Sequence, residues 1–180
     1  MITKPPVSIE EDDLVAFSKL PQVKALIGKK PRILEIGTWK GGSSWTWMAM
    51  FDPEVLISID KHEEDGFTPV APNRKTARVE YLFTGSHSDE TKDAVLKILN
   101  KKGVDILFID GDHSYEGVKK DWEMYSILSE PKGIVIFHDA LYHADGTEEV
   151  DIFWNEIKGK YKHVEIKSSP NSTGMGVLFL

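Results

Sequence analysis

Cysteine is absent from this chain of 180 residues, and that absence removes disulfides, thiolate nucleophiles and Cys-ligated zinc or iron–sulfur centres from consideration. It suits a reducing compartment, so the cytoplasm is the expected location. Positive charge is also in short supply, with 22 Lys and Arg against 29 Asp and Glu and a formal net charge of −7. Clustered cations supply most of the grip on nucleic-acid phosphates, so nucleic acid is not an expected partner and a small-molecule substrate is. Long apolar runs are missing as well. Nothing reaches the roughly 20 residues that a membrane-spanning helix needs, and Met1-Ile2-Thr3-Lys4-Pro5-Pro6 lacks the apolar core of a signal peptide. No membrane association is expected.

What is present is an ordinary globular composition, 41% hydrophobic and 28% charged, at a length that suits a single domain, 1–180, with one core. Leu14, Phe17, Leu20, Val23 and Ile27 recur at spacings of three and four, the mark of an amphipathic helix that Pro21 breaks in two. Residues 1–28 therefore read as an N-terminal helical cap on a core of residues 30–180. In that core, apolar β-rich runs at 32–36, 55–59, 79–83, 105–109 and 133–137 alternate with helical stretches at 42–51, 88–101, 114–129 and 147–160. Strand then helix, repeated, predicts a parallel sheet with helices on both faces. The last two runs, 164–167 and 174–180, are separated only by 168–173. So short a loop forces antiparallel neighbours, because a parallel return needs a crossover of about a dozen residues. The predicted fold is a Rossmann-like three-layer α/β/α sandwich, its mostly parallel seven-stranded sheet ending in an antiparallel hairpin.

Between the first strand and first helix lies Glu35-Ile36-Gly37-Thr38-Trp39-Lys40-Gly41-Gly42-Ser43. Glycines there allow a tight turn and a close ligand, and the helix start offers unpaired N–H groups. Asp60, 23 residues beyond Gly37 at the end of Ile57-Ser58-Ile59-Asp60, is placed to accept hydrogen bonds from ribose hydroxyls. Trp39 stands where a dinucleotide loop has its middle glycine, and Glu35 suits a cationic amino acid end better than a pyrophosphate. The pattern Glu-x-Gly-x-x-x-Gly resembles motif I of class I S-adenosylmethionine-dependent methyltransferases, whose sheet also ends in an antiparallel hairpin. That resemblance implies S-adenosylmethionine as cofactor, held by Glu35, Gly37, Gly41 and Asp60. It also places Ser86, at the end of the third strand, against the adenine; helix capping by Ser86 or Ser88 is the competing explanation.

The fourth and fifth strands deliver Ile109-Asp110-Gly111-Asp112-His113-Ser114-Tyr115 and Phe137-His138-Asp139-Ala140 to the carboxyl edge of the sheet, where such folds bind ligands. Ile-Asp-Gly-x-His-x-Tyr followed by a helix, Pro-x-Gly and His-Asp is similar to the cephalosporin hydroxylase-like proteins and metal-dependent macrolide-sugar O-methyltransferases, over roughly residues 30–142. By that resemblance Asp110 and Asp139 are divalent-metal ligands and His113 the general base, with Asp110 also at the cofactor. His138 departs from the family pattern, where a carboxylate is common. It completes the ligand set, orients Asp139 or contacts substrate; imidazole suits Mn, Fe or Zn better than Mg, and the identity of the implied divalent cation, Mg, Mn or Fe, stays open. Asp112 reads as a turn residue, and Tyr115, Trp122, Trp39, Trp45 and Trp47 chiefly as packing. The implied activity is metal-assisted O-methylation of a small hydroxylated substrate such as a sugar or natural product. A nicotinamide-dependent oxidoreductase and an inactive cofactor-binding module are the alternatives, and a homo-oligomer is compatible with either.

Overall fold

The computed structural model describes residues 5–61, 63–70, 77–141, 148–170 and 172–180. Its centre is a seven-stranded sheet: β1 (Arg32–Ile36), β2 (Val55–Asp60), β3 (Arg78–Phe83), β4 (Val104–Ile109), β5 (Ser129–His138), β6 (Lys162–Ile166) and β7 (Met175–Phe179), in the order β3-β2-β1-β4-β5-β7-β6. The first five pair in parallel, while β7 inserts antiparallel between β5 and β6. The hairpin and the parallel core are thus as the sequence pattern predicts.

Around the sheet lie α1 (Glu11–Ser18), α2 (Pro21–Leu26), α3 (Gly42–Phe51), α4 (Asp89–Leu99), α5 (Tyr115–Tyr125) and α6 (Val150–Ile157). Pro21 opens α2 at its first turn, where a missing N–H costs nothing, so the N-terminal cap is two helices. The apolar strand positions divide between two core clusters: Leu34, Ile36, Ile57 and Leu107 join α4, α5 and α6, while Ile33, Leu56, Ile106 and Phe108 join α1, α2 and α3. Burial on both faces is why β1, β2 and β4 are nearly continuous apolar runs.

β5 begins at Ser129, four residues earlier than the apolar run suggests. Its pairing with β4 slips between Val104 and Ile106, with Lys132 at φ 75, so Pro131-Lys132-Gly133 is absorbed as an irregularity and does not delay the strand. α5 ends at Tyr125 and continues as a 3-10 turn over Ser126–Leu128. Strand order reverses between β1 and β4, and in sheets of this kind the crevice for ligands opens at that point.

Candidate active site

A cleft of about 560 Å³ opens over the carboxyl ends of β1, β2, β4 and β5. Gly37 fixes one wall. Its φ is +90, and a Cβ there would lie 1.8 Å from the Asp110 carbonyl oxygen, so only glycine lets the ends of β1 and β4 press together. Asp110 N–H donates to the Ile36 carbonyl and Gly37 N–H to the Ile59 carbonyl, each at 2.8 Å. Asp60 holds the loop that follows: its Oδ2 accepts from Thr38 N–H at 2.8 Å and Trp39 N–H at 2.7 Å.

Glu35 and Gly41 sit behind this surface, outside the residues that line the cleft. Glu35 is fully buried and accepts from the Ser44 and Ser58 hydroxyls and, at 3.0 Å, from Trp47 Nε1. Burial pushes its carboxyl group above the usual range, against the opposing effect of the serine hydroxyls. Gly41 starts α3 in a left-handed conformation (φ 88), with the Thr68 carbonyl 2.7 Å from where a Cβ would be. Trp39 is exposed and lines the cleft, unlike the packing residues Trp45 and Trp47.

The far end is formed by Thr84, Gly85, Ser86 and His87. Ser88, not Ser86, caps α4, accepting from Thr91 N–H at 3.1 Å. Ser86 therefore stays with the cleft, its carbonyl receiving the Tyr125 hydroxyl at 2.6 Å. Beside it His87 Nε2 lies 3.0 Å from Oδ1 of Asp121, whose side chain is wholly buried on α5. Asp112 is the turn residue its context suggests, accepting from Ser114 N–H at 3.0 Å, although it also lines the cleft. Tyr115 and Trp122 pack against Phe153 and Phe137 respectively.

At the near end the four proposed metal and base residues converge. His138 Nδ1 lies 3.1 Å from Asp110 Oδ1 and 3.0 Å from Asp139 Oδ2; His113 Nε2 lies 3.3 Å from Asp110 Oδ1, and its Nδ1 3.4 Å from both Asp139 Oδ2 and Glu148 Oε1. Hydrogen bonding to Asp110, opposed by burial and reinforced by the charges of Asp110, Asp139 and Glu148, raises His113 to about 9. Burial works to lower His138, yet Asp110 and Asp139 hold it well above its ordinary value. Burial likewise works to raise Asp139, and its partners His138, Thr173 and His113 hold it low. The donor set fits a divalent cation: ligand atoms of Asp110, His138 and Asp139 lie within 4.8 Å of one another, as do those of His113, Asp139 and Glu148. Mixed oxygen and nitrogen donors suit Mn, Fe or Zn.

Two contributors escape sequence reasoning. Glu148 stands just before α6, and Thr173 in the loop before β7; both line the cleft, and neither belongs to the glycine-loop, Asp-x-x-His or His-Asp motifs.

A family model described as a methyltransferase domain matches residues 34–140, the stretch that runs from the glycine loop to the His-Asp pair. The chain belongs to this methyltransferase family. Among curated relatives, the methyltransferase domain is 34% identical over 113 residues to uncharacterized protein R132 of Acanthamoeba polyphaga mimivirus, covering 59% of this chain and 50% of that protein. It is 27% identical over 162 residues to uncharacterized protein y4gI of Sinorhizobium fredii, covering 82% of this chain and 17% of the other. The chain thus spans half the length of the first relative and a small part of the second. Its fold is that of a candidate caffeoyl-CoA O-methyltransferase from Staphylococcus aureus (TM-score 0.66, 20% identity, 97% of this chain and 85% of the other). MycE of the mycinamycin biosynthetic pathway, solved with Mg and SAH, shares it (TM-score 0.60, 14% identity, 91% and 48%), as does the calicheamicin methyltransferase CalS11 (TM-score 0.59, 12% identity, 93% and 78%). Among the described residues no helix is long and apolar enough to cross a membrane.

Proposed function

We propose that this domain transfers a methyl group from S-adenosylmethionine to a hydroxyl of a small acceptor, a sugar or a natural product, with the aid of a divalent cation. The reading places it with the macrolide-sugar O-methyltransferases and cephalosporin hydroxylase-like proteins. One observation carries it: a single cleft is lined by Gly37, Asp60 and Ser86 at one end and by Asp110, His113, His138 and Asp139 at the other. The residues proposed for the cofactor and those proposed for acid–base work therefore share one cleft. The cleft falls within the range of about 300–1,000 Å³ usual for small-molecule sites.

In this reading the Gly37–Trp39 turn, held by Asp60 Oδ2, binds the cofactor, and the remaining Asp60 oxygen meets its ribose. Asp110, Asp139 and His138 would hold the cation, and the chemistry it supplies is Lewis acidity toward the acceptor hydroxyl. His113 takes the hydroxyl proton at Nε2, the nitrogen that faces Asp110. Proton removal and alignment are the tasks left to the protein. The hydrogen bond to Asp110, with the charges of Asp110, Asp139 and Glu148, is what lets this imidazole keep its proton to about 9, so it would become a base where Asp110 and Asp139 have another positive partner.

Calorimetric titration of the purified chain with S-adenosylmethionine and, separately, NADH tests the cofactor. Micromolar binding of S-adenosylmethionine alone is expected. Asp60→Asn keeps an acceptor for the two loop amides but loses the charge, and should weaken binding roughly tenfold, about 1.4 kcal/mol. Binding of NADH instead, or of neither, would overturn the reading.

A further inference from the structure

Asp139 is reached from an unexpected direction. Its backbone is left-handed, φ 55, a conformation that a residue other than glycine keeps only where its surroundings impose it. The surroundings are the loop entering β7. Ala140 N–H donates to the Gly174 carbonyl at 3.4 Å and Leu141 N–H to the Thr173 carbonyl at 3.2 Å, so the two residues after Asp139 are pinned to that loop. The Thr173 side chain hydrogen-bonds Asp139 itself.

The loop is in turn fastened to the other end of the chain. Asp13 on α1 is only 1% exposed, and its carboxylate accepts from Ser168 N–H at 2.6 Å and from the hydroxyls of Ser168 and Ser172. Ser172 Oγ then accepts from Gly174 N–H at 2.9 Å. Both Asp13 oxygens therefore bond to the segment that carries Thr173. A buried carboxylate is costly unless its bonds are satisfied, and among the described residues the donors that meet it, Ser168 and Ser172, come from this one loop.

We infer that Asp13 is a positioning residue for Asp139, acting through Ser168, Ser172, Thr173 and Gly174. The N-terminal helices thus do more than cover the sheet, because α1 sets the placement of a side chain in the cation cluster about 125 positions away in sequence. The inference rests on the cation-binding reading for its consequence, though not for its geometry. Residues that orient a metal ligand without touching the metal commonly change affinity by about 10–100-fold when removed.

The test has two readouts on the full chain. Amide hydrogen exchange, read by NMR without added metal, should quicken about tenfold at Ala140 and Leu141 in Asp13→Asn while the β5 amides of Ile136 and Phe137 keep their wild-type rates. Ser172→Ala, which leaves Asp13 bonded to Ser168, should show the same change to a lesser degree and serves if Asp13→Asn does not fold. Calorimetric titration with Mn²⁺ should then show about tenfold weaker binding in Thr173→Val and wild-type binding in Thr173→Ser, which keeps the hydroxyl. Unchanged exchange at Ala140 and Leu141 in both upstream variants, or wild-type Mn²⁺ affinity in Thr173→Val, would overturn the inference. If the wild-type chain binds no Mn²⁺ but exchange responds, the positioning relay stands and the cation part of the proposed function falls.

Discussion

Replacing Gly37 with alanine tests the close approach of β1 and β4 on which the cleft depends, and two other glycines separate the costs. At Gly85, which lines the same cleft, a Cβ would meet nothing within 4 Å and φ is not positive, so Gly85→Ala should change stability by no more than about 0.5 kcal/mol. Gly66 has φ +83 and equally open surroundings. Gly66→Ala therefore carries only the left-handed penalty, about 1–2 kcal/mol, partly offset by the roughly 0.4–1 kcal/mol gained from a stiffer unfolded chain. Gly37 has the same backbone conformation, and in addition its Cβ would stand 1.8 Å from the Asp110 carbonyl oxygen and 2.5 Å from its carbon. The atom in the way is main chain just past the end of the β1–β4 ladder, tied there by the Asp110 N–H bond to the Ile36 carbonyl, so relief means parting the ends of β1 and β4, and overpacking of this kind costs about 1–3 kcal/mol or more. The total should exceed about 3 kcal/mol. At an m-value of about 2 kcal/mol/M, that moves the urea midpoint by roughly 1.5 M. Equilibrium urea unfolding of the three variants in EDTA measures it. A Gly37→Ala midpoint no lower than that of Gly66→Ala would refute the argument that backbone proximity, and not conformation alone, selects glycine here.

Two further predictions concern side chains. Ser88→Ala should cost about 1 kcal/mol by removing the cap of α4 and leave cofactor affinity unchanged, while Ser86→Ala, which also removes a hydrogen bond to the buried Asp121, should weaken cofactor binding; wild-type cofactor affinity of Ser86→Ala in calorimetry would take Ser86 out of the site. For His113 the folded-state value, about 9, lies above the ordinary 6.5. Its stabilising contribution is thus complete below about pH 6.5 and is lost as pH rises through about 9. Melting temperatures of the metal-free chain should fall across that window, and less steeply in His113→Gln; parallel curves for the two proteins would contradict the assignment.

Period and strand-end chemistry made much of this site readable in advance. Asp110 and Asp139 follow adjacent apolar strands buried on both faces, and a parallel ladder leaves both at one edge. Glu35 is different, because its neighbourhood in sequence is the glycine loop whereas its neighbourhood in space is set by the pleat. In β1, Leu34 and Ile36 face one core cluster and Ile33 the other. Glu35 alternates with them onto the face of Ile33, where Ser44 and Trp47 of α3 receive it. Strand alternation carries that information, but a motif two residues from a ligand-binding glycine obscures it. Thr173 and Glu148 could not be read at all. They approach the cluster from a loop and a helix entrance, and which residue of such a segment reaches inward depends on tertiary packing that no periodic pattern encodes.

The electrostatics of the cluster tie its chemistry to its fold. Asp110 and Asp139 have side chains only 11% and 5% exposed, and two carboxylates held so close in low dielectric need positive charge between them. In the structure His138 and His113 supply it, each placed against both carboxylates. The two imidazoles differ in what they can do next. His138 ends a central strand and is almost wholly buried, so its ring keeps its place beside the two carboxylates. His113 lies in the loop before α5 and is a third exposed. Its loop is held by the Glu149 N–H, which donates to the His113 carbonyl at 2.8 Å, and by the Glu149 side chain, which accepts from Tyr115 N–H at 2.9 Å. That leaves the ring facing the cleft on a fixed backbone. Of the two, His113 is the one that can exchange a proton with a molecule in the cleft without unmaking the end of a strand, and the general-base role proposed for it rests on that difference in placement more than on any difference in their intrinsic chemistry.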